Sequence, residues 1–433
     1  MNLDRPEFKW QALKKMVERA VRQSPILDIH THLYDPAMGE LLLWGIDEML
    51  VYHYLLAEGF RHIQMPYENF WRLRKEEQAE LIWKELFIEH SPVSEACRGV
   101  LTILHSLGLD PKEKDLPALR NWFQQWDPQA HITRCMELAG VHRIYMTNSP
   151  FDAAELAYWA KGWARDERFA AALRLDPLLL DWHNTAPQLA EQGYDVGEGL
   201  VEKTLQEIRR FLNEWTDIME AHYVMVSLPP NFTYPSASDA AAILEGAVLP
   251  HCRERNLPLA LMMGVERAVN PALRLAGDGV GRADLSALKN LCADFPGNRF
   301  LATALSRENQ HELCVLARKF RNLHIFGCWW FTNTPSLIDE ITRMRLELLG
   351  WSFTAQHSDA RVLEHIIYKW QHTRETIAAA LVDKYVDMAA AGWEPTFKEV
   401  QRDVWQLFGG AFEEFLGVRT VPEAAPDPID WPE

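Results

Sequence analysis

The sequence predicts an α/β fold, a (β/α)8 barrel with a helical insertion after its first strand. Short apolar runs alternate with amphipathic stretches of helical length along most of the 433 residues, which is the order of elements in parallel βα proteins. Eight such runs are present, the number of strands in a closed barrel of this type. A doubly wound open sheet is the alternative fold for the same alternation.

The predicted strands are continuous apolar runs, as expected for strands that are buried on both faces. They are residues 26–32, His142–Thr147, Ala171–Leu175, Tyr223–Leu228, Leu257–Met263, Phe300–Leu305, Leu323–Cys328 and Phe353–Gln356. Amphipathic segments lie between most of them, among them Val201–Met219, Ser236–Arg255, Glu308–Phe320 and Pro335–Leu349.

One connection is much longer than the others. More than 100 residues separate His32 from His142, and apolar residues recur at helical spacing through them. We therefore predict an N-terminal helix in 1–25, the barrel in 26–34 and 129–420, a helical insertion in 35–128 and an acidic, proline-rich tail in 421–433. An insertion after the first strand lies over the C-terminal mouth of a barrel, where active sites are built.

The composition excludes some classes of function. A formal net charge of −17 disfavours nucleic acid and anionic membranes as partners, because binding to phosphates requires clustered Lys and Arg. No window approaches the ~20 apolar residues of a membrane span, so we expect a cytoplasmic protein. The six cysteines form no CxxC pair, which argues against a disulfide framework or a cysteine zinc site.

His30 and His32 are the first candidate functional residues. They stand two positions apart at the end of the first predicted strand, so their side chains point to the same face. Both imidazoles can then bind one divalent metal from a single rigid element. The HxH pattern is weak on its own, and two ordinary polar residues at a strand end are the alternative.

A carboxylate that could complete this site follows the last predicted strand. In a closed barrel the last strand lies beside the first, so Asp359 can join His30 and His32 in a three-ligand site that leaves room for water or substrate. His357 is a rival ligand. A helix N-cap is the alternative role for Asp359, since a long helix follows and both Ser358 and Asp359 are suited to cap it.

Several motifs together resemble the uronate isomerases of the amidohydrolase superfamily. They are DIHTH at 28–32, YHY at 52–54, LRLDPLL at 173–179, FGCWWF at 326–331 and HSDARVLEHIIYKW at 357–370. The resemblance implies a distorted (β/α)8, or TIM, barrel and the reversible aldose–ketose interconversion of hexuronates, from D-glucuronate to D-fructuronate and from D-galacturonate to D-tagaturonate. It also implies that His30, His32 and Asp359 bind one divalent metal, usually zinc, and that the chain forms a homo-oligomer.

The resemblance also carries over to four residues around the sugar. Tyr54 matches the proton-transfer group, as a phenolate, and His53 matches a partner that forms hydrogen bonds with the substrate. Arg174, at the end of the third strand, and Arg361, just after Asp359, match arginines near the sugar acid.

Two tryptophans match the family pattern, and one methionine departs from it. Trp329 and Trp330 match an aromatic wall, although only one of two consecutive residues is expected to face a pocket. The chain departs from many uronate isomerases at Met262, where they have a histidine, because methionine is a poor zinc ligand and cannot carry a proton.

The chemistry of such an isomerisation requires residues of these types. A proton that moves between C2 and C1 passes through an enediol, which needs a base near both carbons and an electrophile on the oxygens. We predict that Tyr54 takes the C2 proton, Arg361 lowers its pKa, and Asp359 with metal-bound water returns the proton at C1. The reverse order, with Asp359 as the C2 base, is the alternative. Arg174 would hold the C6 carboxylate through two hydrogen bonds, unless it pairs with Asp176.

Two other functions fit parts of the pattern. A metal-dependent hydrolase of the same superfamily, acting on a small anionic substrate, commonly has further ligands on strands four, five and six. The corresponding stretches here read MVSLPP, LMMG and ALSREN and offer none, which favours isomerisation. A sugar-acid binding protein without catalysis would have no need of Tyr54.

Overall fold

A computed structural model describes residues 6–418 of the chain. The predicted acidic tail, 421–433, and the first five residues of the predicted N-terminal segment lie outside the described residues. Within them, the helix α1 spans Pro6–Gln23 and leads into the first strand.

Seven of the strands found in residues 6–418 form one parallel sheet. The strands are β1 Ile26–Thr31, β2 Val141–Asn148, β3 Phe169–Arg174, β4 Val224–Leu228, β5 Leu259–Met263, β6 Val265–Glu266, β7 Gly279–Val280, β8 Phe300–Ala304 and β9 Leu323–Ile325. The parallel sheet has the order β1-β2-β3-β4-β5-β8-β9, whereas β6 and β7 pair with each other as a small antiparallel hairpin. Seven of the eight predicted strands are therefore confirmed, and the hairpin was not predicted.

The eighth predicted strand, Phe353–Gln356, is wrong as a regular strand. Only Thr354 forms a β-bridge, to Phe326, and the next backbone donor, Ala355 N, bonds to Leu407 O. The side chain of Gln356 accepts hydrogen bonds from the backbone of Cys328 and His357. Because a side chain fills the place of a backbone partner, the regular ladder ends there.

Backbone hydrogen bonds nevertheless close the ring through this segment. Thr354 N donates to Ile325 O of β9, at 3.1 Å, and five residues later Asp359 N donates to His30 O of β1, at 3.2 Å. His32 N in turn donates to Ala360 O at 2.7 Å. The prediction of a distorted (β/α)8 barrel is confirmed, and the distortion is in the eighth position.

Helices fill the long connection between β1 and β2, which confirms the predicted helical insertion. They are α2 Ile46–Leu50, α3 His53–Gly59, α4 Tyr67–Phe70, α5 Lys75–Trp83, α6 Glu95–Ser106, α7 Leu116–Gln124 and α8 Pro128–Ala139. Side chains of Ser94, Asp115 and Asp127 cap α6, α7 and α8, the role for which these residue types are preferred. The predicted limits of the insertion, 35–128, stay a prediction.

The remaining helices follow the strands of the barrel and then form its C-terminal part. They are α9 Ala153–Trp159, α10 Asp176–Leu180, α11 Trp182–Glu191, α12 Glu202–Met219, α13 Asp239–Ile243, α14 Leu249–Glu254, α15 Ser286–Asp294, α16 Gln310–Lys319, α17 Pro335–Leu349, α18 His365–Ala390, α19 Phe397–Trp405 and α20 Ala411–Leu416. Among the described helices, none has both the length and the apolar character needed to cross a bilayer.

Buried side chains from alternate strand positions fill the barrel interior. Leu27, Tyr145, Tyr223 and Met262 belong to one cluster that also contains Phe412 of α20. The Phe412 ring lies 5.3 Å from Tyr145 and 5.9 Å from Tyr223 between ring centroids. The C-terminal helix thus closes the barrel at the end opposite to its mouth.

We predict that Gly409→Ala destabilises the protein, because Gly409 packs against β1 in a conformation that favours glycine. Its φ is 140°, and a Cβ atom there would lie 2.6 Å from Leu27 Cβ. Strained backbone of this kind costs about 1–3 kcal/mol, so the midpoint of thermal unfolding should fall. Gly197→Ala is the matched control, since no atom lies within 4 Å of the added Cβ. Equal midpoints for the two variants would contradict this account.

Candidate functional site

A cavity of about 480 Å³ opens at the C-terminal ends of the barrel strands. We call it the main cavity. Its lining includes His32 and Thr147 from the first two strands, Arg174 and Ser227 from the next two, and Val265, Trp329, Trp330, Asp359 and Arg361 from the remaining strand ends. This is the location at which barrels of this type carry their active sites.

His30, His32 and Asp359 form a group that could hold a metal ion. The Nε2 atoms of both histidines lie 3.4 Å from Asp359 Oδ1, and one ligand atom from each residue falls within 4.8 Å of the others. Asp359 Oδ1 is buried and accepts no hydrogen bond from the described residues. Three electron-pair donors that converge in this way suit a divalent cation such as zinc.

Thr147 sets the orientation of the His32 ring. The Thr147 hydroxyl donates a hydrogen bond to Thr31 O at 2.9 Å, so its oxygen is free to accept one from His32 Nδ1, which lies 3.0 Å away. A proton on Nδ1 leaves the lone pair of Nε2 directed towards Asp359. This contact matches the hydrogen bonds that fix histidine ligands in metal sites.

The backbone around Asp359 is held in place by a buried carboxylate of the first strand. Asp28 accepts hydrogen bonds from Ser358 N at 2.9 Å and from Trp370 Nε1 at 2.8 Å. Asp359 itself has a φ of 54°, which turns its side chain towards the histidines. The alternative role as a helix N-cap is excluded, because α18 begins at His365.

His357 does not join the group of three. Its ring packs against His30, with 5.0 Å between ring centroids, and against Phe326 at 5.4 Å. Neither of its ring nitrogens has a hydrogen-bond partner among the described residues, and burial lowers its pKa well below the usual range. His357 is therefore a neutral, buried ring that packs against the His30 ring.

The protonation states of the group suit metal binding. Burial lowers the pKa of His32 to about 4, although Asp359 acts in the opposite direction. Burial alone would raise the pKa of Asp359, but the adjacent His30 and His32 rings bring it well below the usual range. A neutral imidazole and a charged carboxylate are the forms that bind metals.

Arg174 lies in the main cavity and pairs with Asp176, the alternative considered for it. Arg174 Nε and Nη2 donate to the two Asp176 oxygens at 2.9 and 2.8 Å. A guanidinium carries five N–H donors, so the edge formed by Nη1 and the second Nη2 hydrogen remains available. Arg174 can therefore bind a further carboxylate through this edge while its hydrogen bonds to Asp176 remain in place.

The predicted pair His53 and Tyr54 is divided between two cavities. Within the helical insertion, α2 ends at Leu50 and α3 begins at His53. His53 and Trp330 line the main cavity and also a neighbouring space of about 220 Å³. We call this space the side cavity. Tyr54 lines only the side cavity, whereas Tyr52 lines the main one.

Tyr54 is a neutral phenol in this arrangement rather than the predicted phenolate. Burial raises the pKa of its hydroxyl well above the usual range. The ring lies 4.6 Å from His53 between centroids, and the buried hydroxyl has no hydrogen-bond partner among the described residues. Its assignment as a proton carrier stays a prediction.

Both Trp329 and Trp330 line the main cavity, although only one was expected to do so. The expectation assumed a regular alternation of side chains along an extended chain. Trp330 has a φ of 45°, and this turn of the backbone brings the second indole to the same side.

Two groups on the cavity wall were not found from the sequence. Glu155 of α9 accepts hydrogen bonds from Tyr34 at 3.1 Å and Asn148 at 3.0 Å. Arg267, next to the hairpin β6–β7, pairs with Asp278. The only available signal was position, since Tyr34, the partner of Glu155, lies two residues after DIHTH and Arg267 lies four residues after the fifth strand.

Met262 lies in the barrel interior rather than at the mouth. It belongs to the buried cluster with Leu27 and Tyr145 and is fully buried. It contributes no ligand to the group formed by His30, His32 and Asp359.

Several solved structures are similar to this chain. It is 50% identical to a uronate isomerase from Bacillus halodurans C-125, with a TM-score of 0.93 over 95% of this chain and 97% of the other. A uronate isomerase from Thermotoga maritima is 16% identical, with a TM-score of 0.75 over 94% and 97% of the two chains. A glucuronate isomerase from Caulobacter crescentus is 15% identical, with a TM-score of 0.75 over 96% of each chain.

The two distant structures share the fold with this chain. No protein-family model and no curated protein matches it. The identity of 50% to the Bacillus halodurans enzyme, however, extends over nearly the full length of both chains. The chain therefore belongs to the uronate isomerase family.

Proposed function

We propose that this protein is a metal-dependent aldose–ketose isomerase of hexuronates, which converts D-glucuronate to D-fructuronate and D-galacturonate to D-tagaturonate. One observation carries the proposal: two members of the group, His32 and Asp359, line the same cavity as two arginines, Arg174 and Arg361. An isomerase of sugar acids needs both features, because it must polarise the oxygens at C1 and C2 and hold a carboxylate at C6.

A single zinc ion is the proposed cofactor. The donor set of two imidazoles and one carboxylate fits zinc with a position open to substrate, and the carboxylate oxygen between the imidazoles accepts no hydrogen bond that would compete. When bound, the ion supplies a Lewis acid for the sugar oxygens. The side chains of the chain itself bind the sugar, orient it and move the proton.

Arg174 and Arg361 orient the substrate. The free edge of the Arg174 guanidinium binds the C6 carboxylate in the main cavity. Arg361 holds the oxygen that gains negative charge as the enediol forms. His53 donates to a sugar hydroxyl, and Trp329 and Trp330 provide apolar faces that exclude water from the ring carbons.

Asp359 and Tyr54 are the two proposed proton carriers, and two orders are possible. If Tyr54 takes the C2 proton, it must turn past His53 into the main cavity and lose its own proton near Arg361. If Asp359 takes the C2 proton, its carboxylate is already charged and can act as the base. Tyr54, as a neutral phenol, then donates a proton to C1. In both orders a proton leaves C2 and a proton arrives at C1, while the O2 hydroxyl proton passes to O1, so the redox state of the whole sugar is unchanged. Where one residue takes the proton and the other gives it, Asp359 and Tyr54 return to their starting states by exchanging one proton through solvent.

The activity is tested by following D-glucuronate and D-galacturonate by NMR in deuterated water with the zinc-loaded protein. We expect the ketose to appear with deuterium at C1, because the transferred proton exchanges with solvent at a carboxylate or a phenol. Asp359→Asn is the matched control and should give no product. If neither sugar yields a ketose or exchanges its C2 proton, the proposal is wrong, and hydrolysis of a small anionic lactone or ester becomes the function to test.

We predict that Thr147→Val weakens zinc binding about 10- to 100-fold, the range found when a hydrogen-bond partner of a histidine ligand is removed. The affinity can be measured by competition with a chromophoric chelator. Thr303→Val is the matched control, because the buried Thr303 hydroxyl has no partner among the described residues. Equal affinities for both variants would show that Thr147 does not orient His32.

We predict that Tyr54→Phe lowers kcat about 10²- to 10⁴-fold, the usual contribution of a general acid or base, with unchanged zinc affinity. Exchange of the C2 proton then separates the two orders, since it stops if Tyr54 is the C2 base and persists if Asp359 is. Tyr52→Phe removes a neighbouring hydroxyl and should retain more of the rate. Loss of turnover in Tyr52→Phe with full activity in Tyr54→Phe would transfer the role to Tyr52.

A further inference from the structure

A buried carboxylate on the wall of the main cavity takes no part in the steps proposed above. Glu155 of α9 is 3% exposed and lines the main cavity together with Tyr34. The Tyr34 hydroxyl donates a hydrogen bond to Glu155 Oε1 at 3.1 Å. Asn148 Nδ2 and Ser149 N donate to Glu155 Oε2 at 3.0 and 3.1 Å. We call these two side chains the Tyr34–Glu155 pair.

The Tyr34–Glu155 pair can accept more hydrogen bonds than the described residues donate to it. An ionised carboxylate has about four acceptor sites, and three are filled here, one on Oε1 and two on Oε2. The Tyr34 hydroxyl donates to Oε1, so its own oxygen can still accept. The pair thus offers two adjacent acceptors, one on each residue, in a cavity that opens to solvent.

A further donor would also stabilise the charge on Glu155. Burial raises the pKa of Glu155 above its usual range, although the hydrogen bonds from Asn148, Ser149 and Tyr34 act in the opposite direction. Hydrogen bonds to a carboxylate favour its charged form. A molecule that brings hydroxyl groups to the fourth acceptor site therefore gains binding energy from this residue.

The order of the strands places the Tyr34–Glu155 pair between the two ends of the proposed substrate. β2 lies between β1 and β3 in the sheet, and Ser149, which donates to Glu155, follows β2 directly. His32 follows β1 directly, and Arg174 ends β3. A sugar acid that extends from the metal-binding group to Arg174 therefore passes the end of β2.

We propose that the Tyr34–Glu155 pair binds the hydroxyl groups in the middle of the sugar acid, on C3 to C5. This role rests on the proposed function, which places C1 and C2 at the metal-binding group and C6 at Arg174. Glu155 Oε1 accepts a hydrogen bond from one of these hydroxyls, and the Tyr34 oxygen accepts one from its neighbour. Glu155 is then a specificity-determining residue that selects polyhydroxylated acids over plain aliphatic ones.

Glu155→Gln tests this role with little change in shape. The amide oxygen can still accept from Asn148 and Ser149, whereas the amide NH2 replaces the open acceptor site. We expect KM for D-glucuronate and D-galacturonate to rise about tenfold or more, with a much smaller change in kcat, because a hydrogen bond to a charged group is lost. Glu245→Gln is the matched control. Glu245 accepts a hydrogen bond from Tyr234 at 2.7 Å but does not line the main cavity, so KM should stay unchanged.

Binding of two unreactive acids separates this role from the isomerase activity. D-gluconate carries a hydroxyl on every carbon except its carboxylate, and hexanoate is the six-carbon acid without hydroxyls. In isothermal titration of the full-length, zinc-loaded protein, Glu155→Gln should weaken D-gluconate about tenfold. Any binding of hexanoate should be unchanged or tighter, because a negative charge is removed.

The proposal is wrong if Glu155→Gln leaves both KM and the affinity for D-gluconate unchanged. It is also wrong if D-gluconate binds the unchanged chain no more tightly than hexanoate, or if Glu155→Gln weakens both acids equally, which would indicate a purely structural role. If neither hexuronate is isomerised while Glu155→Gln selectively weakens D-gluconate, the proposed function fails and the binding of hydroxyl groups by Glu155 stands.

Discussion

The site depends on the contact between the first strand and the returning end of the barrel. Two backbone hydrogen bonds, from Asp359 N to His30 O and from His32 N to Ala360 O, join segments that are more than 300 residues apart in the sequence. They place the Asp359 carboxylate between two imidazoles that β1 already holds on one face. The Asp28 carboxylate of β1 strengthens this contact, since it accepts a hydrogen bond from Ser358 N. The candidate metal site and the closure of the barrel are therefore one structural feature.

The sequence was sufficient where a local pattern determines the structure. Continuous apolar runs marked seven strands, and the two-residue spacing of His30 and His32 placed both rings on one face. The prediction from sequence was wrong where side chains replace backbone hydrogen-bond partners or where the backbone φ is positive. Gln356 takes the place of a strand partner and ends the eighth strand, and the turn at Trp330 brings two consecutive indoles to one cavity. Neither the Gln356 hydrogen bond nor the backbone turn at Trp330 has a periodic signature in the sequence.

His53 and Trp330 line two cavities of different character. The main cavity combines arginines with His32 and Asp359, two members of the group that could hold a metal. The side cavity combines Lys369 and two carboxylates with apolar walls. Met262, at a position where a further ligand was considered, belongs to the packed barrel interior. The group that could hold a metal lies where the first strand meets the returning segment that closes the barrel.

The central claim is that His30, His32 and Asp359 bind one ion together. A crystal structure of the zinc-loaded protein, with anomalous diffraction measured at the zinc edge, tests it most directly. The account predicts one peak about 2.0–2.2 Å from both histidine Nε2 atoms and from an Asp359 oxygen. A zinc peak elsewhere, or an Asp359 carboxylate turned away from both imidazoles, would contradict it.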